Sequence, residues 1–446
     1  MFDFEKEEKE LEKSRNTLQD LSISDDIANQ AILEGMKRAK AMKMRKKKFL
    51  PIKVFLAASV FIISLITSVK VSDTMADYIS NVPGIEKIVE FIRQDKGLLA
   101  AAENNYFQKI ETTVENGEVK VTIDSIVRDE KELLIFFNYR AKGVVDQIFP
   151  EEISLLDGNR NILPYRAYYS NLNPNGEKKY VNKATARVPL ADGDILPEEL
   201  ILSFAFSVND KMLNQNIDIP LTLDKEKFAA KKVINMNKSV KVEGQEITIK
   251  KVTIYPTQTT IDIMVNPENS KKIFGFNDIH IEDETGEKWA EIEPNDFTSY
   301  VNENEMIIYL QSNYFSDPKE LYLAFSSIRA VDKDELWVEI DPVKEKIIKA
   351  PKDGKLSSVY KRNEELAITL ETNPNIFDKQ IFMYAEDFNG NIIGMGKPIG
   401  GGGLPNNNYV TYYVPYPDEE AVAGPIKLKL LDYPATINKK IKLKIK

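Results

Sequence analysis

The chain has 446 residues, a net charge of −9 and 29% charged residues, which allows about three folding units and gives no whole-protein attraction toward nucleic acid or anionic lipid. It contains no cysteine, which excludes disulfides, thiolate nucleophiles and cysteine-ligated metal. Its one histidine, His280, leaves little room for Ser-His-Asp hydrolysis; its neighbours Asp278, Ile279 and Ile281 suggest a surface position on a strand edge.

Residues 1–48 read as a helical segment. Phe4, Leu11 and Leu18 recur every seventh residue among Glu and Lys. Ser24 is a good N-cap, with Asp25 and Asp26 placed for the positive end of a helix dipole, and Ala28, Ala31, Ile32, Gly35, Met36 and Ala39 follow on one face. Two such helices without a third layer bury too little surface to be stable alone, so the segment is expected to fold on a partner.

Residues 49–69 are expected to form a transmembrane helix. The run from Ile52 to Val69 carries one charge, Lys53, and as a helix it would reach about 27 Å, roughly the hydrocarbon thickness of a lipid bilayer. Lys37, Arg38, Lys40, Lys43, Arg45, Lys46, Lys47 and Lys48 precede it, whereas Lys70 is followed by Asp73 and Asp77. That asymmetry predicts a single-pass cell-membrane protein with its N-terminus cytoplasmic and its C-terminus extracellular. It also accounts for the basic cluster without direct nucleic-acid binding. A cleaved signal peptide fits poorly, because some 50 residues precede the apolar run and no small-x-small pattern closes it.

Residues 70–110 are expected to form a juxtamembrane helical collar. Pro83-Gly84 breaks it, and Ile85, Ile88, Val89 and Ile92 fall on one helical face that either lies on the membrane surface or packs on the first β domain. Beyond Ile110 the pattern becomes alternation and turn dipeptides. Val119, Val121 and Ile123 alternate with polar residues, Leu133 to Phe137 reads as a buried strand, and Asn116-Gly117, Asp157-Gly158, Asn175-Gly176 and Asn389-Gly390 supply hairpin turns.

An internal repeat runs through this part. Glu199-Leu200-Ile201-Leu202-Ser203-Phe204 parallels Glu320-Leu321-Tyr322-Leu323-Ala324-Phe325, and the ribbon at Asp157-Gly158 parallels the one at Thr285-Gly286. Leu321 to Ile340, ending in Leu336-Trp337-Val338-Glu339-Ile340, resembles Ile426 to Ile445, ending in Ile441-Lys442-Leu443-Lys444-Ile445. Each unit is read as a turn-rich middle followed by a closing pair of strands. The fold class is therefore mainly β: tandem immunoglobulin-like β-sandwich domains over 111–230, 231–348 and 349–446.

Motifs for chemistry are weak. Gly394, Gly396 and Gly400 to Gly403 are not followed by a Lys-Ser or Lys-Thr pair or by a helix, so a loop is expected there instead of a phosphate cradle. The pairs Glu151-Glu152, Glu198-Glu199 and Glu419-Glu420 read as solvated turn residues without EF-hand spacing. Tyr409, Tyr412, Tyr413 and Tyr416 could form an aromatic platform for glycan, but alternate tyrosines on a strand more often lie half-buried in a sheet. No catalytic residue, metal or cofactor is expected.

The run from Ser68 to Ile79, then Val82-Pro83-Gly84-Ile85-Glu86-Lys87-Ile88-Val89 and Asp95-Lys96-Gly97-Leu98, resembles an otherwise uncharacterised domain family of Gram-positive bacterial membrane proteins. Its members are commonly described as anti-sigma factors paired with extracytoplasmic-function sigma factors, and immunoglobulin-like modules are often appended to it. The resemblance implies a negative regulator of transcription, in which residues 1–48 hold a sigma factor and the exported β domains sense the envelope. The zinc-type anti-sigma fold uses a His and Cys cluster, which residues 1–48 lack, so the implied inhibitory part is a metal-free helical hairpin. Its expected contact residues are Leu11, Leu18, Leu21, Ile27, Ile32 and Met36. The competing reading is a cell-surface binding or structural protein anchored by its N-terminal helix, with wall polymer as its ligand.

Overall fold

The fold was analysed in a computed structural model. It describes residues 88–143, 145–171, 181–290, 292, 298–373, 377, 379–393, 400–402, 408–416 and 424–446. Two one- and two-turn helices open it, α1 (Val89–Ile92) and α2 (Lys96–Glu103). Asp95 caps α2 by accepting the Leu98 N–H at 3.0 Å, one of the donors that a helix start leaves unpaired.

Strands follow at once: β1 (Gln108–Glu115), β2 (Val119–Arg128), β3 (Glu132–Ala141), β4 (Ile148–Asp157), β5 (Ile162–Arg166), β6 (Tyr168–Asn171), β7 (Asn182–Pro189), β8 (Glu199–Val208), β9 (Lys211–Met212) and β10 (Ile217–Thr222). They form two sheets, ordered β1-β2-β3-β7-β6 and β10-β8-β4-β5, with β9 beside β8. Alternate residues of both sheets, among them Val121, Ile123, Phe137, Leu202, Phe204 and Ile219, close on one core, as expected of a sandwich whose strands have a side-chain period of two.

The second sandwich repeats this plan with β11 (Lys232–Val242), β12 (Gln245–Ile254), β13 (Gln258–Val265), β14 (Lys271–Asn277), β15 (His280–Asp283), β16 (Lys288–Ala290), β17 (Thr298–Asn302), β18 (Glu305–Gln311) and β19 (Leu321–Asp332). Here β14 and β15 together pair along β19 as β4 does along β8. The third is built from β20 (Trp337–Asp341), β21 (Lys346–Lys349), β22 (Leu356–Arg362), β23 (Glu365–Glu371), β24 (Phe382–Glu386), β25 (Gly400–Gly402), β26 (Tyr409–Pro415) and β27 (Ile426–Leu430). Its sheets are ordered β21-β20-β27-β24 and β22-β23-β26-β25.

One hairpin marks all three units. Asp157, Asp283 and Asp387 each accept backbone N–H groups two and four residues ahead through Oδ1. In each case the residue four ahead also accepts the aspartate's own N–H. The side chain thus closes the turn, the usual role of an aspartate at a chain reversal.

The last strand, β28 (Thr436–Lys444), departs from the expected domain order. It pairs with β19 of the second sandwich, Leu323 opposite Leu443 and Phe325 opposite Ile441. Meanwhile β20 crosses to the third sandwich and pairs with β27, Val338 opposite Leu428. In the first sandwich β10 closes its own sheet against β8, Leu202 opposite Ile219. The closing strands of the second and third units are therefore exchanged. The third sandwich occupies residues 337–430 and is inserted into the second, so the expected boundary near residue 348 and the assignment of 436–446 to the third domain are corrected.

A buried ion pair seals this crossing. Arg329 on β19 meets Asp432 through Nε and Nη2 at 3.0 Å each and donates through Nη1 to the Phe276 carbonyl at 3.1 Å. Gly275 leaves room for the guanidinium: a Cβ there would lie 2.5 Å from Nη2. Phe274 and Val331 of the second sandwich join the third sandwich's core.

The fold class is corrected in a second respect. No helix among the described residues is long and apolar enough to cross a membrane, which goes against the expected transmembrane helix and the single-pass cell-membrane placement. Residues 1–48 and 49–69 themselves lie outside the described residues. The helical collar is also corrected: its described part is only α1 and α2, and residues 108–110 already belong to β1. What the structure shows is a mainly β array with two short helices packed upon it.

Candidate functional site

The most unusual chemistry among the described residues is a joint where α1, α2, the first sandwich and the second sandwich meet. Its apolar part is a cluster of Ile88, Ile92, Leu98, Leu99, Tyr106 and Phe107 on the outer face of the first sandwich at Val127, Leu134 and Phe136, with Phe315 of the second sandwich against it. Phe91 and Phe107 approach Phe136 at 5.6 and 5.4 Å, and Tyr106 approaches Phe315 at 5.3 Å, within the range of favourable ring contacts.

Polar groups fix the register. The Tyr106 hydroxyl donates to the Arg128 carbonyl at 2.8 Å and accepts the Ala229 N–H at 3.0 Å, which ties it to the linker between the sandwiches. At the tip of the β2–β3 hairpin, Asp129 accepts the N–H groups of Lys131 and Glu132 through Oδ1. Through Oδ2 it accepts the N–H and hydroxyl of Thr257, at 2.8 and 2.7 Å, at the tip of the equivalent β12–β13 hairpin. Lys231 pairs with Glu130 at 2.9 Å beside it. On the other flank, Gly97 of α2 lies so close to the end of β18 that a Cβ would be 2.6 Å from the Ser312 nitrogen. Gln311 bonds both the Lys96 N–H and the Gln94 carbonyl there.

Three carboxylates are buried in this joint: Asp95, Asp129 and Glu132. Glu132 is ion-paired with Arg187 of β7, while its Oε1 is enclosed without a hydrogen-bond partner. Burial pushes Asp95 up to about 6, against the pull of the Leu98 N–H and of Arg187. Burial and the Glu132 charge push Asp129 up to about 6, against its donors. Burial also raises Glu132, with Arg187 opposing. Chemically the site can take up protons at Asp95 and Asp129 as pH falls through about 6 and link that uptake to the packing of three parts of the chain.

Sequence reasoning missed this site, because Asp and Glu in turns read as solvated. The burial of Asp129 comes where two hairpin tips 128 residues apart meet. The expected contact residues Leu11, Leu18, Leu21, Ile27, Ile32 and Met36 lie outside the described residues. His280, expected at the surface, is instead buried, with Nδ1 2.7 Å from the Asp278 carbonyl and Nε2 3.5 Å from Glu282. Of the tyrosines, Tyr412 points inward and donates to the Lys379 carbonyl. Tyr413 accepts from Arg362 and Tyr416 lies under Lys361, so the four do not make one platform. Gly400–Gly402, expected in a loop, form β25 against β26; Gly394, Gly396 and Gly403 lie outside the described residues. Glu151 and Glu152 accept from Ser207 and Ser154, and Glu198 pairs with Lys225. Glu419 and Glu420 lie outside the described residues. Among the described residues no group of three or more His, Cys, Asp or Glu is placed to hold a metal.

Comparison with known proteins bears on both sides of the joint. No curated protein matches the chain. Among solved structures it is similar to a conserved domain protein from Bacillus anthracis, at 12% identity and a TM-score of 0.35, over 55% of this chain and 84% of that one. It is also similar to a cycloalternan-forming enzyme from Listeria monocytogenes in complex with pentasaccharide substrate, at 8% identity and a TM-score of 0.14, over 71% of this chain and 29% of that one. Both superpositions are too loose to carry chemistry to this protein. Residues 231–350 match the model of a family of unknown function (DUF5643), and residues 45–141, which include α1, α2 and the Asp129 turn, match that of a domain of unknown function (DUF4179).

Proposed function

We propose that the protein is a negative regulator that sequesters an extracytoplasmic-function sigma factor through residues 1–48 and answers to a signal received by its β array. The observation that carries this reading is the match of residues 45–141 to DUF4179, a family associated with anti-sigma-factor-like proteins. Two further features support it. The apolar seams of residues 1–48 need a protein partner to be buried. The joint ties α1 and α2, through which residues 1–87 continue into the array, to both neighbouring sandwiches, so a change in how those sandwiches pack reaches the helices.

The test is binding of the purified full-length chain to each extracytoplasmic-function sigma factor of its host. One sigma factor should be captured in stoichiometric amount. Leu18→Asp or Ile32→Asp should weaken that capture about 100-fold, the effect of forcing an unpaired charge into an apolar contact. Capture of none across the full set contradicts the reading.

A further inference from the structure

We infer that the joint is a proton-operated latch between the first two sandwiches. While its buried carboxylates hold protons, the tips of the β2–β3 and β12–β13 hairpins stay locked together; once they ionise, the tips part and the sandwiches turn about the linker at 229–231. The inference goes beyond the sigma-factor reading and does not rest on it. Its basis is a charge imbalance. Asp95, Asp129 and Glu132 are 9%, 1% and 1% exposed, and Arg187 is the guanidinium that answers both Glu132 and Asp95. Asp129 is held by neutral donors, the N–H groups of Lys131, Glu132 and Thr257 and the Thr257 hydroxyl. With all three ionised, one cation would face three anions out of water, and Glu132 Oε1 would carry its charge without a donor. A buried charge left uncompensated is removed either by taking up a proton or by reaching water.

The other groups around Asp129 do not restore the balance. Glu130 of the same hairpin adds a fourth carboxylate, and Lys231 of the linker neutralises that one. Asp192 adds a like charge beside this pair. Arg128 is taken up by the Asp224 carbonyl and the Phe228 ring. The second sandwich brings the phenol of Tyr255; burial holds it and the Tyr106 phenol above the ordinary range, so both stay neutral. Burial first, and then the Glu132 charge, raise Asp129 to about 6, and burial raises Asp95 to about 6. The closed joint therefore binds protons more tightly than the opened one, so closure is favoured below that value and weakened above it. The place of parting follows from the bonds of Asp129. Those at Oδ1 stay within its own hairpin, whereas the two from Thr257 to Oδ2 cross between the sandwiches. Separating the tips breaks the second pair alone and lets water reach the carboxylate, while the Tyr106 hydroxyl keeps its hold on Ala229 at the pivot.

The absence of native cysteine makes a direct test possible. Thr113 on β1 and Ser239 on β11 are exposed, one on each sandwich, and the full-length chain carrying Thr113→Cys and Ser239→Cys takes a spin label at both. Their separation should be narrowly distributed at pH 5 and broadened and displaced at pH 8. In the unlabelled chain, exchange of the Thr257 amide, corrected for its intrinsic pH dependence, should rise about ten-fold or more relative to the Leu202 amide between the same two values. Asp95→Asn and Glu132→Gln each remove one anion, and each should hold the closed distribution to higher pH. Identical distributions at pH 5 and 8, with Thr257 equally protected at both, overturn the latch. Opening that neither Asp95→Asn nor Glu132→Gln moves along the pH axis overturns its operation by these carboxylates. Should the labelled chain fold poorly, the exchange of Thr257 in the unlabelled chain decides alone.

Discussion

Replacing Gly97 by alanine separates local helix preference from packing at the joint. In an isolated helix the change is favourable by about 1 kcal/mol, because glycine gives up the most backbone freedom on folding. Here a Cβ would sit 2.6 and 2.7 Å from the Ser312 nitrogen and oxygen, where ordinary contact begins at 3.4 Å. Both atoms are backbone and cannot rotate away, so α2 must retreat by most of an ångström. Overpacking of this kind costs about 1–3 kcal/mol. The retreat also strains the two bonds of Gln311, to the Lys96 N–H and the Gln94 carbonyl, worth about 1 kcal/mol each at the mean for neutral hydrogen bonds. With the helix gain set against these, Gly97→Ala should destabilise the chain by roughly 1–3 kcal/mol. Denaturant unfolding of the full-length protein reads this as a lower midpoint at constant slope. An unchanged or raised midpoint would falsify the clamp of α2 on the second sandwich.

Other perturbations follow from the same contacts. The raised carboxyl of Asp95 means that the folded state holds its proton more tightly than the unfolded state does, so its stabilising contribution is full below about pH 4 and lost as pH rises through about 6. Asparagine caps a helix as well as aspartate does and does not titrate, so Asp95→Asn should flatten the fall in melting temperature between about pH 4 and 7; an unaltered pH profile goes against a buried, proton-holding Asp95. Arg329→Ala should cost about 3–5 kcal/mol by leaving Asp432 buried without its cation, while Arg329→Met with Asp432→Leu should recover most of that loss; equal losses in the two variants would show that the pair is solvated. Deleting residues 436–446 should raise hydrogen exchange along β19 in the second sandwich and leave β23 and β26 of the third protected. The reverse pattern contradicts the crossed strands.

Much of the array is legible in the sequence, since alternation and turn dipeptides report side-chain period and chain reversal directly. The paralleling of Leu200-Ile201-Leu202 by Leu321-Tyr322-Leu323 identifies the central strands β8 and β19. The likeness of Leu336 to Ile340 and Ile441 to Ile445 identifies closing strands. Which sheet each one closes is not legible: Val338 and Leu443 present the same alternating face to either slot, and the contacts made at the crossing, between Arg329, Asp432 and Gly275, join residues far apart in the chain. The joint is hidden for the same reason. Asp129 caps its own hairpin like any turn aspartate, and only the approach of Thr257 removes it from water. His280 reads as polar and exposed, yet its strand lies between β16 and β19 in the sheet and its side chain is buried, with Nδ1 2.7 Å from the Asp278 carbonyl.

The most direct measurement of the proposed function is transcription from the sigma factor's promoters in a host lacking this chain, compared with hosts supplying it intact or with Leu18→Asp and Ile32→Asp together. Loss of the chain should raise that transcription, the intact protein should lower it again, and the substituted protein should accumulate without lowering it. Transcription indifferent to all three would contradict the holding of a sigma factor by residues 1–48.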